Sequence, residues 1–301
     1  MSGKSNSWLG LYLLVGGVWG FSFYFIALGD KFLTPVGVGF WRLALGAIAM
    51  LAITLATKRK IPTDARTWGI LFVISLCMNS IPAALFAYAE QHVTSAFAGI
   101  TNSMTPIATI LVILAFFREE KPSTKVLAGL GVGLIGALLV LAIWNGFGNN
   151  DPLAVLALGG AVLLYGIGGP LARRLVPGLK LDTQVQVTVQ ITAAAITLLP
   201  FYLSGPLTTA ATDALGIAGM LVLGVLGTGF AYIWYYRLMA LAGSAVANAV
   251  TFLSPVVAVL AGSLLLGEAV TWNQLVGGAV VILGAAISQG RLDQLFARLK
   301  L

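Results

Sequence analysis

The chain has 301 residues, of which 59% are hydrophobic and 9% charged, with a formal net charge of +7. A soluble domain carries roughly a quarter charged residues, so this composition excludes a water-solvated globule, and at about 20 apolar residues per span it leaves material for many membrane helices and none for a separate soluble domain. The single cysteine, Cys77, excludes a disulfide framework and a cysteine metal site. In chain order, apolar runs broken by charge, proline or Asn/Gly clusters predict helices near 8–28, 35–56, 67–89, 93–117, 124–144, 152–171, 183–203, 213–239, 243–266 and 271–290. The first run is followed by nine more and reads as a retained span, not a cleaved signal peptide. With the N-terminus inside, fifteen of the Lys and Arg residues fall on the cytoplasmic side, Lys31 alone falls outside, and Arg42 lies within a span. That split follows the positive-inside rule and predicts a single domain over 1–301, multi-pass in a plasma membrane, with both termini cytoplasmic. Topology and anionic headgroups account for the net charge, so the bilayer is an expected partner and nucleic acid is not.

The segment from Ser95-Ala96 through Pro106 to Glu119 and Gly129 returns 149 residues later as Ser244-Ala245 through Pro255 to Glu268 and Gly278. Ala98 with Ala247, Leu111 with Leu260 and Leu134 with Leu283 keep the same offset. An ungapped offset near half the chain length points to duplication, with repeat one at about 1–146 and repeat two at about 147–301. Five helices per half is an odd number, so the halves enter the membrane from opposite sides. The expected fold is therefore an all-α membrane protein of ten transmembrane helices, in two inverted five-helix repeats around a central cavity.

Polar groups in hydrocarbon are costly and are expected to face the bundle interior or a wet cavity. Thr101, Asn102, Ser103 and Thr105 precede Pro106, and Asn248, Thr251 and Ser254 precede Pro255. Two readings stand for these groups: bent helices that present donors and freed carbonyls to a solute, or hydroxyls and amides that join helices and satisfy the kinks. Aromatics are dense in the eighth span, at Tyr232, Tyr235, Tyr236 and Trp234; Tyr88 and His92 lie one turn apart, and Trp19, Tyr24 and Tyr165 come from the first helix of each half. Some belong to the interfacial belt, but Tyr232, near mid-helix, is the least natural belt residue. Thr183, Gln184, Gln186, Thr188, Gln190 and Thr192 suit a solvated mouth better than packing. Arg42 is shallow enough to snorkel outward, with carboxylate recognition as the lesser reading. Glu119 and Glu268 sit before helix starts, where a carboxylate is structurally favoured, and lone His92 reads as a cap.

Leu266-Gly267-Glu268 after Pro255, followed by Trp272, Gln274 and Gly277-Gly278, resembles the signature of the EamA family of the drug/metabolite transporter superfamily. The likeness covers the whole chain, including Trp19-Gly20 and Trp41-Arg42, although the first repeat departs from the Gly-Glu pair with Arg118-Glu119-Glu120. Gly229-Phe230-Ala231-Tyr232, and Asn102 with Pro106-Ile107-Ala108-Thr109-Ile110-Leu111, resemble the YddG exporters of aromatic amino acids within it. The resemblance implies a central cavity lined by helices one to four and six to nine, and a secondary transporter of the bacterial inner membrane that exports amino acids, aromatic ones preferred, by alternating access. The alternative is efflux of multiple drugs or cationic compounds, which calls for a membrane carboxylate as counter-charge. The substrate-binding residues expected on these grounds are Asn102, Thr105, Tyr232, Thr251, Asn248, Tyr88, Trp19 and Tyr165. No enzyme is expected, because the spans hold no paired carboxylates, no histidine-rich metal cluster and no nucleophile beside a base; no Walker loop precedes a Lys-Ser/Thr pair, and no cofactor or metal is called for.

Overall fold

The computed structural model describes residues 8–116, 124–140, 151–267 and 269–288. Among them the regular structure is entirely helical. The helices are α1 Leu9–Gly29, α2 Pro35–Ala56, α3 Ala65–Ser75, α4 Ile81–Glu90, α5 Ser95–Asn102, α6 Thr105–Phe116, α7 Thr124–Val140, α8 Pro152–Leu175, α9 Thr183–Leu203, α10 Ala214–Gly224, α11 Ala231–Asn248, α12 Ser254–Leu266 and α13 Trp272–Ser288. A π-turn over Leu76–Ser80 joins α3 to α4, and another over Val225–Phe230 joins α10 to α11. Seven continuous helical stretches among the described residues are long and apolar enough to cross a membrane, and Leu127–Gly136 and Trp272–Gly284 are shorter apolar helices. Glu119 and Glu268 lie outside the described residues.

The helix starts are set by local chemistry. Thr34 Oγ1 accepts the Gly37 N–H at 3.1 Å ahead of Pro35, Asp64 takes the Thr67 N–H, and Asp151, Asp182 and Asp213 cap α8, α9 and α10 in the same way. Each such cap satisfies one of the donors a helix leaves open at its start.

Helix α2 packs along α9, α7 along α13, α1 along α12, and α8 along α4 and α6. Helix α2 also crosses the second π-turn so closely that a Cβ on Gly46 would stand 2.8 Å from the Gly224 carbonyl, and one on Gly224 would stand 2.5 Å from Leu45 Cβ. Only glycine permits that crossing. The two π-turns begin at Leu76 and Val225, α6 and α12 begin at Thr105 and Ser254, and each of these pairs is 149 residues apart. The largest buried cluster draws on Leu43, Met50, Ile74, Ile191, Tyr235 and Phe252 and surrounds the middle of the bundle.

Candidate functional site

A cavity opens at the centre of the bundle, lined by Trp19, Ser22, Phe23 and Ile26 of α1, Arg42 of α2, Met78 of the first π-turn, Phe86 of α4, Asn102 and Thr105, Tyr165 of α8, Tyr232, Tyr235 and Asn248 of α11, and Thr251. Its volume of about 50 Å³ is room for a few water molecules, each needing roughly 10–15 Å³ on this measure. Seven of the eight residues expected from sequence meet here: Trp19, Asn102, Thr105, Tyr165, Tyr232, Asn248 and Thr251. Tyr88 is not among the lining residues. It is half-buried at the end of α4, with its ring 4.9 Å from His92 and its carbonyl 3.0 Å from His92 Nδ1.

The walls of this cavity are built at prolines and π-turns. Pro82 has no N–H to return to the carbonyl four residues earlier, that of Met78. The Tyr232 hydroxyl of the other half donates to that carbonyl instead. In the second π-turn the Ala231 N–H reaches back to Leu226, and the neighbouring Gly227 carbonyl accepts Trp19 Nε1 at 3.2 Å. Met78 and Gly227 are 149 residues apart, so each half offers a carbonyl at the same position to an aromatic donor from the other. The two donors touch edge to face, with ring centroids of Trp19 and Tyr232 5.7 Å apart, and Tyr235 lies 5.2 Å from Trp19. Such pairs add about 0.5–1.5 kcal/mol each beyond area burial.

Pro106 releases the Asn102 carbonyl in the same manner, and Thr105 Oγ1 donates to it at 2.7 Å while standing 3.3 Å from Asn102 Oδ1. Asn248 is occupied at both ends, its Nδ2 donating to Thr109 Oγ1 at 2.9 Å and its Oδ1 accepting from Tyr235 at 2.5 Å. Asn248 therefore joins α11 to α6 and meets the cavity as an already bonded group. The bonds of Thr105 and Asn248 are those of the reading in which hydroxyls and amides satisfy the kinks and join helices.

Arg42 corrects the sequence reading. Instead of snorkelling toward lipid it turns into the cavity, where its Nε donates to Thr228 Oγ1 at 2.9 Å, and Thr228 donates onward to the Leu223 carbonyl at 3.0 Å. The π-turn supplies that partner by placing Thr228, 1% exposed, against α2. Arg42 is the one charged residue of the described lining.

For Thr188 and Gln190 of the polar run at the start of α9 the reading is also corrected, whereas Thr183 and Gln186 line a separate hollow at that end of the bundle. Thr188 and Gln190 are fully buried: Thr188 shares a 2.8 Å bond with Thr54, and Gln190 Nε2 donates to Asn79 Oδ1 at 2.6 Å while its Oε1 accepts from Tyr236 at 2.8 Å. Packing across helices takes these side chains in place of a solvated mouth. Among the described residues no group of His, Cys, Asp and Glu could hold a metal ion.

A cavity between two matching halves, with aromatic walls and one guanidinium, suits passage of a solute better than chemistry upon it. The known proteins agree on the class. A crystal structure of a protein 17% identical in sequence superimposes over 96% of this chain and 99% of its own with a TM-score of 0.72, a likeness of fold. An uncharacterized transporter of Archaeoglobus fulgidus is 24% identical over 288 residues, 94% of this chain and 98% of that protein. The uncharacterized transporter YoaV of Bacillus subtilis is 24% identical over 272 residues, 89% and 91% of the two chains. The model of the EamA-like transporter family matches twice, over residues 6–142 and again over 152–289, and this chain, a multi-pass membrane protein, belongs to that family of transporters, which are not enzymes.

Proposed function

We propose that the protein exports amino acids, aromatic ones preferred, across the bacterial inner membrane by alternating access between two inverted five-helix halves that make ten spans, with both termini in the cytoplasm. The observation that carries this reading is the cavity lining, in which Trp19, Phe23, Phe86, Tyr165, Tyr232 and Tyr235 share one space with the Arg42 side chain. Rings give a wide, sequence-tolerant surface for an aromatic side chain, and a fork of donors matches a carboxylate. The Asn102 amide, in the same lining, is suited to the zwitterionic end. The matching 149-residue spacing of π-turns and helix breaks, and the two family matches, support the inverted repeat. The resemblance of Gly229–Tyr232 and of Asn102 with Pro106–Leu111 to the YddG exporters supports the substrate class. Efflux of cations fits this lining less well, because no carboxylate is present among its described residues to offset the charge.

Purified protein in liposomes, offered a panel of labelled amino acids with and without a pH gradient, tests the reading. Saturable uptake with tryptophan and phenylalanine ahead of threonine is expected. Uptake of lipophilic cations with none of any amino acid would replace this reading with the efflux alternative.

A further inference from the structure

The two ends of the bundle differ. At one end a hollow of about 460 Å³ is lined by the end of α8, the start of α9 and the end of α11, with Pro177, Leu181, Tyr236 and Ala240 in its wall. A shift of 149 residues carries these four positions to Leu28, Phe32, Ala87 and Gln91, at the end of α1, ahead of α2 and at the end of α4. There Leu28, Phe32 and Ala87 are 3%, 6% and 0% exposed, and Phe32 and Ala87 belong to one buried cluster with Val38 and Met220. The packing is close: a Cβ on Gly29 would stand 2.7 Å from Met220 Sδ, and one on Gly216 would stand 2.5 Å from the Phe32 ring. Matching parts of the two halves are thus drawn apart at one end and packed together at the other. In an inverted repeat, exchanging the two arrangements gives the conformation that opens to the other side.

Asp30 lies in the packed end. It follows the last residue of α1, and both of its carboxyl oxygens are closed off from solvent, with the Gln91 side chain as polar neighbour. The position 149 residues on is Leu179, so the hollow end has no matching carboxylate there. Other charged and titratable groups at this end are Lys31, exposed and next in the chain; Glu90 and His92, which flank Gln91; and Asp213, whose carboxylate accepts the Gly216 N–H at 2.6 Å. Helix α5 carries none, and the first in α2 is Arg42, in the central cavity. We propose that Asp30 and Gln91 form a proton-sensitive latch on this gate, the external one in the proposed orientation, and that loss of the Asp30 proton favours the conformation in which Leu28, Phe32 and Ala87 part. The proposal rests on the reading of the halves as inverted. Burial disfavours the charged carboxylate and pushes Asp30 from 3.8 up to about 8, whereas in the parted gate water would restore its ordinary value. Between about 4 and 8 the packed end therefore holds one proton more than the parted end, and rising pH moves the equilibrium toward parting by up to about tenfold per pH unit. That proton leaves to the external solution and returns from it, so the latch sets the population of the two conformations and carries no proton across.

Two single-cysteine variants in a Cys77→Ser background test this: Ala87→Cys at the packed end and Ala240→Cys in the hollow. Each is labelled with a maleimide in nanodiscs from pH 5 to pH 9, and its rate is divided by that of the same cysteine combined with Asp30→Asn, which cancels the titration of the thiol itself. For Ala87→Cys the ratio should rise about tenfold between pH 5 and pH 8 and level off above that; for Ala240→Cys it should fall. Gln91→Ala, at an exposed position, should raise the Ala87→Cys rate about three- to tenfold at pH 5, as for one lost hydrogen bond, and this keeps the latch open to refutation even if Asp30→Asn folds poorly. A ratio that stays flat for Ala87→Cys, or a Gln91→Ala rate equal to the parent's, would overturn the latch. So would a rise for Ala87→Cys with no fall for Ala240→Cys, which is fraying of one helix end and not the motion of a gate. Saturating tryptophan at constant pH tests the inverted halves apart from Asp30. Opposite changes at the two cysteines uphold them whatever the pH response, and changes of the same sense in both experiments would overturn the inverted halves and the latch together.

Discussion

At Tyr232 one side chain carries two separable duties. Its hydroxyl completes the Met78 carbonyl that Pro82 leaves open, and its ring forms part of the cavity wall against Trp19. Tyr232→Phe removes the first duty and keeps the second. A buried acceptor left without its donor costs about 1–3 kcal/mol, so this variant should unfold at a lower temperature in detergent while keeping the tryptophan-to-threonine uptake ratio of the parent. Tyr232→Ala removes the ring as well and should weaken tryptophan by up to roughly tenfold in affinity, with threonine less affected. An unchanged ratio in Tyr232→Ala would assign the ring to the scaffold. The participation of Tyr232 was legible in the sequence as a phenol far from either interface, and its partner was within reach of simple counting, since the carbonyl freed by a proline lies four residues before it. Arg42 was not legible, because its depth in the span says nothing of direction, and direction is set by Thr228, 186 residues away.

Among the elements, the helix runs were read closely and their interruptions were not. The expected spans near 8–28, 35–56 and 183–203 match α1, α2 and α9 within a residue or two. The π-turns inside the spans near 67–89 and 213–239 leave no mark in a hydropathy pattern, because one extra residue per turn alters neither composition nor length. Gln190 in the polar run of α9 misled for a related reason: composition reports that it must be satisfied but not that Asn79 of the first π-turn and Tyr236 of α11 satisfy it. The glycines of α7 and α13 differ sharply within the seam between those helices. A Cβ on Gly284 would fall within 3 Å of the backbone at Gly133 and Gly129, atoms that cannot rotate aside, whereas one on Gly278 would meet nothing within 4 Å. Gly284→Leu should therefore reduce the yield of monodisperse protein severely and Gly278→Leu should leave it near the parent level, as read by size-exclusion chromatography. Equal yields would mean that the seam opens without cost.

At the scale of the whole molecule, the carboxylates and the histidine among the described residues stand outside the lining of the central cavity, and this arrangement separates two effects of pH. Asp30 follows the last residue of α1, where burial pushes its carboxyl from an ordinary 3.8 up to about 8, partly opposed by the neighbouring Gln91 side chain. The folded protein then holds a proton at Asp30 between those values that the unfolded chain has released, so stability falls as pH rises from about 4 toward 8. Asp30→Asn should flatten that slope in thermal unfolding followed from pH 5 to 9. The driving force for transport is a different matter, because the described cavity lining contains neither a carboxylate nor a histidine to carry a proton through the centre, and His92 is exposed at the end of α4. Counterflow uptake of tryptophan in liposomes should therefore persist when the pH gradient is collapsed by an ionophore, in the parent and in Asp30→Asn alike. Uptake that vanishes with the gradient in the parent and persists in Asp30→Asn would make Asp30 the coupling group; uptake that vanishes in both would require a proton path through residues other than the cavity lining.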